Sequence, residues 1–151
     1  MDNQKIHLIQ ALGSGFCFLL ADQTAKWLAF HSPKFSFYII QPYLGWELLL
    51  NPGVGFGLPI ANWLMIFVTP VILLALAFFL EKKYREPKTS VIFYYGICLT
   101  LFGALSNYID RFLIAATIDY IRILYSVINI ADISIILGVV LVIREDINRP
   151  A

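Results

Sequence analysis

Glu81-Lys-Lys-Tyr-Arg-Glu-Pro-Lys-Thr89 decides how this chain is laid out. Its four cations, Lys82, Lys83, Arg85 and Lys88, stand between two apolar runs, about Asn62–Leu80 before it and about Ser90–Tyr108 after it. A helix crossing a ~30 Å hydrocarbon core needs about 20 mostly apolar residues, and both runs come close to that. Further out lie two more runs, about Ile6–Trp27 and about Val127–Ile143. The expected fold class is therefore an all-α membrane protein with four transmembrane helices, the whole of 1–151 forming one domain. Composition agrees: 60% of residues are hydrophobic, 14% are charged, and mean hydropathy is +0.77, whereas about a quarter of a soluble domain is charged. Pro70 is expected to kink the second helix, a disturbance that neighbouring helices tolerate in a membrane.

Lys and Arg gather in cytoplasmic links. With the 81–89 link inside, Lys5, Arg144 and Arg149 place both termini on the cytoplasmic side as well. Phe30–Ala61 and Arg111–Ser126 then lie outside, and together they carry few cations. The first run resembles a secretory signal in length, but it carries Gln10 and continues into Asp22-Gln-Thr-Ala-Lys26, so it is read as a retained helix. Gly13, Cys17, Ala21 and Ala25 recur every fourth residue in it and predict a small-residue packing face. In the first outer segment, Phe35–Ile40 and Trp46–Leu50 are aromatic and apolar runs bounded by Pro33, Pro42 and Gly45. They predict two short strands in a hairpin or small extracytoplasmic β-sheet. Pro52, Gly53, Gly55, Gly57 and Pro59 come next, where backbone can approach a ligand closely.

Against this apolar background, four acids stand out: Asp22, Asp110, Asp119 and Asp132. All map to the outer side, and a carboxylate at a bilayer marks a functional site by default. Asp22 and Lys26 are four apart on a helix and can pair, which either neutralises a helix end or supports a site. Asn107, Asp110 and Arg111 fall within one turn, and Asp110 with Arg111 could form a buried ion pair. Asn129 and Asp132 share a face near the start of the fourth helix, where Asn129 could orient the carboxylate or simply cap the helix. Asn51, ahead of Pro52 and Gly53, reads as ordinary turn chemistry.

Two carboxylates within reach of each other share a proton and titrate as a unit. Such a pair can hold a water, take its proton as it attacks a carbonyl, and return a proton to the leaving amine. No covalent nucleophile is evident, because Ser106, Ser126 and Ser134 have no His or Lys at a suitable spacing. His7 and His31 are isolated, and Cys17 and Cys98 lie in separate runs with no CxxC, so neither a metal nor another cofactor is expected. A net charge of +1 gives no reason to invoke nucleic acid.

Together these residues resemble the lipoprotein signal peptidases (signal peptidase II) over nearly the whole chain. Asp22-Gln-Thr-Ala-Lys26 is similar to the family's D-x-x-x-K, and Asn51-Pro-Gly-Val-Gly-Phe56 to its N-x-G-x-x-F. Gly103-Ala-Leu-Ser-Asn-Tyr-Ile-Asp-Arg111 resembles G-x-x-G-N-x-x-D-R, Ile118-Asp119-Tyr120 resembles V-D-F, and Asn129-Ile-Ala-Asp132 resembles N-x-A-D. The resemblance implies an intramembrane aspartic endopeptidase of the bacterial cytoplasmic membrane, with its active site on the extracytoplasmic side. It would remove signal peptides from diacylglyceryl-modified prolipoproteins just before the lipidated cysteine. Asp119 and Asp132 would be its catalytic pair, Asp110 being the other candidate partner for Asp132. Asp22, Lys26, Asn51, Gly53, Asn107, Asp110, Arg111 and Asn129 would support the site or bind substrate. The expected partners are the lipid-modified prolipoprotein and membrane lipids, and the expected state is a monomer. Two departures stand out. Ser106 replaces the glycine before Asn107 and is expected to crowd a helix contact; Ile128 replaces the usual aromatic residue before Asn129. These keep open a catalytically inactive relative that binds lipidated chains. A proton- or ion-coupled carrier would need acids spread through the membrane depth, and Trp63–Leu80 has no ionisable residue.

Overall fold

The computed structural model describes residues 3–53, 60–86 and 89–147. Gly55, Phe56, Gly57 and Pro59, with Lys88 and Arg149, lie outside the described residues. The elements run α1 (Asn3–His31), β1 (Phe37–Ile40), β2 (Leu44–Asn51), α2 (Asn62–Tyr84), α3 (Val91–Ile114), β3 (Thr117–Ile123), β4 (Ser126–Ile128) and α4 (Ile130–Ile147). The fold is mostly helical with one small antiparallel sheet. Among the described residues, α2 and α3 are long and apolar enough to cross a membrane.

α3 is the axis of the bundle. Ser90 caps its start, the Oγ accepting from the N–H groups of Ile92 (3.1 Å) and Phe93 (3.4 Å). Its end turns at Ala115, in the left-handed region at φ 59°. α1 and α4 pack along it, while α2 buries only Thr69 and runs unbroken through Pro70. Close approach of α3 and α4 requires small residues: a Cβ on Gly138 would lie 2.5 Å from the Gly96 carbonyl oxygen. The packing face of α1 differs from the expected one. Ala11, Gly15, Asp22, Lys26 and Ala29 are buried, whereas Gly13, Cys17 and Ala21 are exposed and Ala25 is half-buried. The physical reason is that the polar pair Asp22 and Lys26 must face the other helices, and this fixes the rotation of α1.

The sheet is larger than expected. Its order is β1-β2-β3-β4, all antiparallel. β1 and β2 are the predicted hairpin. β3 comes from the outer segment Arg111–Ser126, where no strand was predicted, and β4 straddles its junction with the predicted fourth helix; Leu124, in the left-handed region at φ 54°, lies between them. The pairing of Ser126–Ile128 with β3 delays α4 to Ile130, three residues beyond the predicted start. Arg122 on β3 donates to Glu47 on β2 (Nε–Oε1 2.8 Å), and Tyr38 on β1 donates to the same carboxylate, tying three strands together. Burial pushes the Glu47 carboxyl upward, but these two donors outweigh it and hold it below the ordinary range.

Two apolar clusters flank the polar interior. One joins α1 to α3 through Ala11, Phe93, Tyr94, Ile97 and Cys98. The other joins the end of α1 to the sheet through Ala29, Ile118 and Tyr120. Buried polar side chains converge between them.

Candidate active site

Lys26 is the hub of the first half of this polar region. It is 1% exposed, and its Nζ stands 2.7 Å from Asp22 Oδ2 and 2.8 Å from Asp110 Oδ2. It also donates to Asn107 Oδ1 at 2.8 Å. An ammonium has three donors and no acceptor, and these three close contacts match them in number, with Ser106 Oγ a longer fourth at 3.4 Å. The Asp22–Lys26 pair thus forms as the four-residue spacing implies, and it is buried. The Asp110–Arg111 pair does not form. Adjacent helical side chains point about 100° apart, and Asp110 turns to Lys26 while Arg111 turns away. Asp110 further accepts from Gln23 Nε2 (3.1 Å) and the Ile118 N–H (3.2 Å). Arg111 donates to the Gly53 carbonyl and to Asn62 Oδ1 (3.4 Å), so it braces the turn after β2.

Ser106 does not crowd the contact. It is fully buried, donates to Asp22 Oδ2 at 2.6 Å and accepts from Gln23 Nε2 at 2.9 Å. Contrary to the expectation from spacing, a lysine does approach it: Lys26 Nζ is 3.4 Å from Ser106 Oγ. The hydroxyl is committed to Asp22, however, and does not face outward as a nucleophile would. Tyr120 completes the Asp22 shell, donating to Oδ1 at 2.8 Å and accepting from the Ile130 N–H at 3.2 Å. Burial first, then the Asp22 charge, pushes the Tyr120 phenol well above its usual range.

Asp119 and Asp132 form the second half. Asp119, on β3 opposite Leu49, is 1% exposed. Its Oδ1 accepts from Asn129 Nδ2 at 2.6 Å and its Oδ2 from Asn51 Nδ2 at 3.0 Å. Asp132, in the first turn of α4, is half-buried; its Oδ1 accepts from Asn107 Nδ2 at 2.9 Å. Asn129 and Asp132 also cap α4 reciprocally. Asn129 Oδ1 accepts from the Asp132 N–H (2.9 Å), and Asp132 Oδ2 accepts from the Asn129 N–H (3.3 Å), the two-way arrangement of a capping box. Capping and orientation of the Asp132 carboxylate were rival readings of Asn129: its carboxamide caps α4 and holds Asp119, while its main-chain N–H is what reaches the Asp132 carboxylate. Asn51 is likewise more than a turn residue: its Oδ1 accepts the Gly53 N–H at 3.0 Å while its amino group reaches Asp119. Burial, then the charge of Asp132, pushes the Asp119 carboxyl up to about 6, with the amides of Asn51 and Asn129 opposing.

The described site residues anticipated from the sequence therefore join one connected network. Gln23, Tyr120 and Asn62 were missed. The usable signal for Gln23 and Tyr120 was their position one residue from a buried acid; for Asn62 it was a polar side chain at the very start of an apolar helix.

A family model described as "Signal peptidase (SPase) II" matches residues 15–147. The chain belongs to the signal peptidase II family. The lipoprotein signal peptidase of Acinetobacter baumannii (strain SDF) is 32% identical over 147 residues, covering 92% of this chain and 84% of that protein. The lipoprotein signal peptidase of Polynucleobacter necessarius subsp. necessarius (strain STIR1) is 28% identical over 154 residues, covering 97% and 94%. A solved bacterial membrane enzyme superposes with a TM-score of 0.81 at 25% identity, covering 91% of this chain and 87% of that one. Membership in this family implies protease activity.

Proposed function

We propose that this chain cleaves the signal peptide from diacylglyceryl-modified prolipoproteins just before the lipidated cysteine, with Asp119 and Asp132 as an aspartic pair. The observation that carries the reading is Asn129: its Nδ2 holds Asp119, and its Oδ1 and main-chain N–H hold Asp132, so one residue sets both carboxylates. Asp110 has no such link, being held by Lys26, Gln23 and the Ile118 N–H. One carboxylate of the pair takes a proton from water as the water oxygen attacks the scissile carbonyl carbon. The other, protonated, hydrogen-bonds to the developing oxyanion. When the C–N bond breaks, a proton passes to the leaving amine and the pair returns to its singly protonated state.

The setting we propose is the bacterial cytoplasmic membrane, crossed by α1 to α4 with both termini inside and the sheet outside. Support comes from the cationic 81–89 link at the α2–α3 turn, and from the four acids, which lie where the C-terminal parts of α1 and α3 meet the sheet and the start of α4. A diacylglyceryl chain stays in the bilayer, so carboxylates at that boundary meet the substrate where it is anchored.

The test is reconstitution of the purified chain with a diacylglyceryl-modified prolipoprotein, comparing wild type with Asp119→Asn, Asp132→Asn and Asp110→Asn. We expect cleavage by wild type, loss in the first two variants and reduction in the third. Loss in Asp110→Asn with activity kept in Asp119→Asn would move the pair to Asp110. A folded wild type that binds but does not cleave would leave the lipidated-chain binding protein as the reading.

A further inference from the structure

Three asparagine carboxamides donate to the oxygens of Asp119 and Asp132, and a second contact selects one of the two flips of each. Asn51 spends its oxygen on the Gly53 N–H, and Asn129 spends its oxygen on the Asp132 N–H. Both anchors are backbone groups supplied by local geometry, a turn and a helix cap. Asn107 differs. Its oxygen accepts from Lys26 Nζ (2.8 Å), a side chain 81 residues away, and from Asn129 Nδ2 (3.1 Å), and its amino group donates to Asp132 Oδ1 (2.9 Å). Turned by 180°, Asn107 would set its amino group against an ammonium and its carbonyl oxygen against a carboxylate. With the Asn129 Nδ2 donor included, three attractive contacts would become repulsive ones.

The chemistry of the anchor matters. A neutral side chain such as Gln could accept from or donate to either flip, whereas an ammonium offers only donors. Its position is also fixed, because Asp22 at 2.7 Å and Asp110 at 2.8 Å hold Nζ in place. We infer that Lys26 is a positioning residue for the carboxylate pair, acting through Asn107, as the charged and closer of its two donors beside Asn129, to keep an N–H, and not a carbonyl, on Asp132. The inference rests on the peptidase reading and gives Lys26 no contact with substrate. It also gives the buried Asp22–Lys26–Asp110 triad a purpose other than stability, since a buried ion pair is seldom a net stabiliser.

The experiment is a double-mutant cycle on the full chain in lipid, cleaving a diacylglyceryl-modified prolipoprotein. Lys26→Met could leave two buried carboxylates unbalanced, so Lys26→Met/Asp110→Asn, which removes one charge of each sign, runs beside it. We expect kcat to fall on the order of 100-fold in both, the scale of a misplaced catalytic group, with KM moved by less than about twofold. In an Asn107→Ala background, the Lys26 substitution should then cost less than about twofold more, because its route to Asp132 is already gone. Losses that multiply, or a folded Lys26 variant with wild-type kcat, would overturn the inference. A second readout is independent of turnover. With ¹⁵N-labelled asparagine, the Asn107 side-chain amide should give one resolved pair of signals in wild type. In the charge-balanced variant, where the neutral Asn129 amide is the donor left on its oxygen, it should give a doubled or averaged pair, and an unchanged pair there would also sink the inference. Failure of wild type to cleave counts against the peptidase reading alone.

Discussion

Replacing Asp119 by Asn should stabilise the protein relative to wild type as pH rises, and the size follows from the environment of one carboxyl. Asp119 is 1% exposed, and burial together with the Asp132 charge raises its carboxyl to about 6, against about 3.9 in an unfolded chain. A carboxyl raised on folding binds its proton more tightly in the native state. Its contribution is therefore fully present below about pH 3.9, is lost as pH climbs to about 6, and stays lost above. Two units at 1.36 kcal/mol each make about 3 kcal/mol. The carboxamide of Asp119→Asn does not titrate and escapes that loss. It carries its own penalty: Asn51 and Asn129 both aim amino groups at this side chain and both are locked, so the new NH₂ meets a donor. That mismatch costs about 1–3 kcal/mol, but equally at every pH. Thermal unfolding of both proteins in the same detergent at pH 4.5 and pH 7.5 separates the two effects. Between those values about 2 kcal/mol of the linkage is expressed, so the variant's Tm relative to wild type should rise by ~4–8 °C for a chain of this size. A Tm difference equal at the two pH values would rule out a raised Asp119 carboxyl, whatever the absolute size of that difference.

Three further outcomes are expected. Lys26→Met should destabilise by about 3–5 kcal/mol by leaving Asp22 and Asp110 without their shared cation, and adding Asp110→Asn should recover most of that in the same unfolding assay. Tyr120→Phe removes the donor to Asp22 and the acceptor for the Ile130 N–H; it should cost about 1.5–3 kcal/mol, and a Tm equal to wild type would show that neither bond matters. On the helices, Gly138→Ala puts a Cβ 2.7 Å from the backbone nitrogen of Thr100 and should destabilise by about 1–3 kcal/mol. Gly13→Ala meets nothing within 4 Å and should be neutral or stabilising by up to about 1 kcal/mol; the opposite order in paired melts would contradict the observed face of α1.

The helices were legible because apolar length is a local property. The 81–89 link and the four runs around it mark the four described helices, though each extends beyond its predicted C-terminal end. The sheet was half legible. β1 and β2 carry aromatic and apolar residues between turn signals, whereas β3 is interrupted by Asp119 and Arg122, and no strand was predicted there. Thr117, Ile118, Tyr120, Ile121 and Ile123 are strand formers, a local signal the two charges masked. What local sequence does not carry is the partner, β2, where Leu49 pairs with Asp119 and Asn51 with Thr117. The face of α1 was misread for a related reason: small residues at every fourth position suggest close packing, but the need to bury Asp22 and Lys26 against α3 fixes the rotation.

Membership of the buried polar network was legible because polar side chains are conspicuous in an apolar chain, but the partnerships were not. Ser106 shows why. From spacing it has no cationic neighbour and a hydroxymethyl group too many; folded, it supplies a donor to Asp22 and an acceptor to Gln23, 84 and 83 residues away. The departure thus adds hydrogen bonds to the network that steadies Lys26. This bears on the choice between an enzyme and an inactive binding relative. Binding a lipidated chain needs an apolar surface and gives no physical reason to bury a second carboxylate in the field of Asp132. Yet the fold keeps Asp119 almost wholly buried, at a cost of about 3 kcal/mol at neutral pH, and commits Asn51 and Asn129 to its two oxygens. A carboxyl held near 6 exchanges its proton close to neutral pH, as general acid–base work requires. A buried carboxyl of this kind, held by an otherwise satisfied network, supports the proposed aspartic pair over the binding reading.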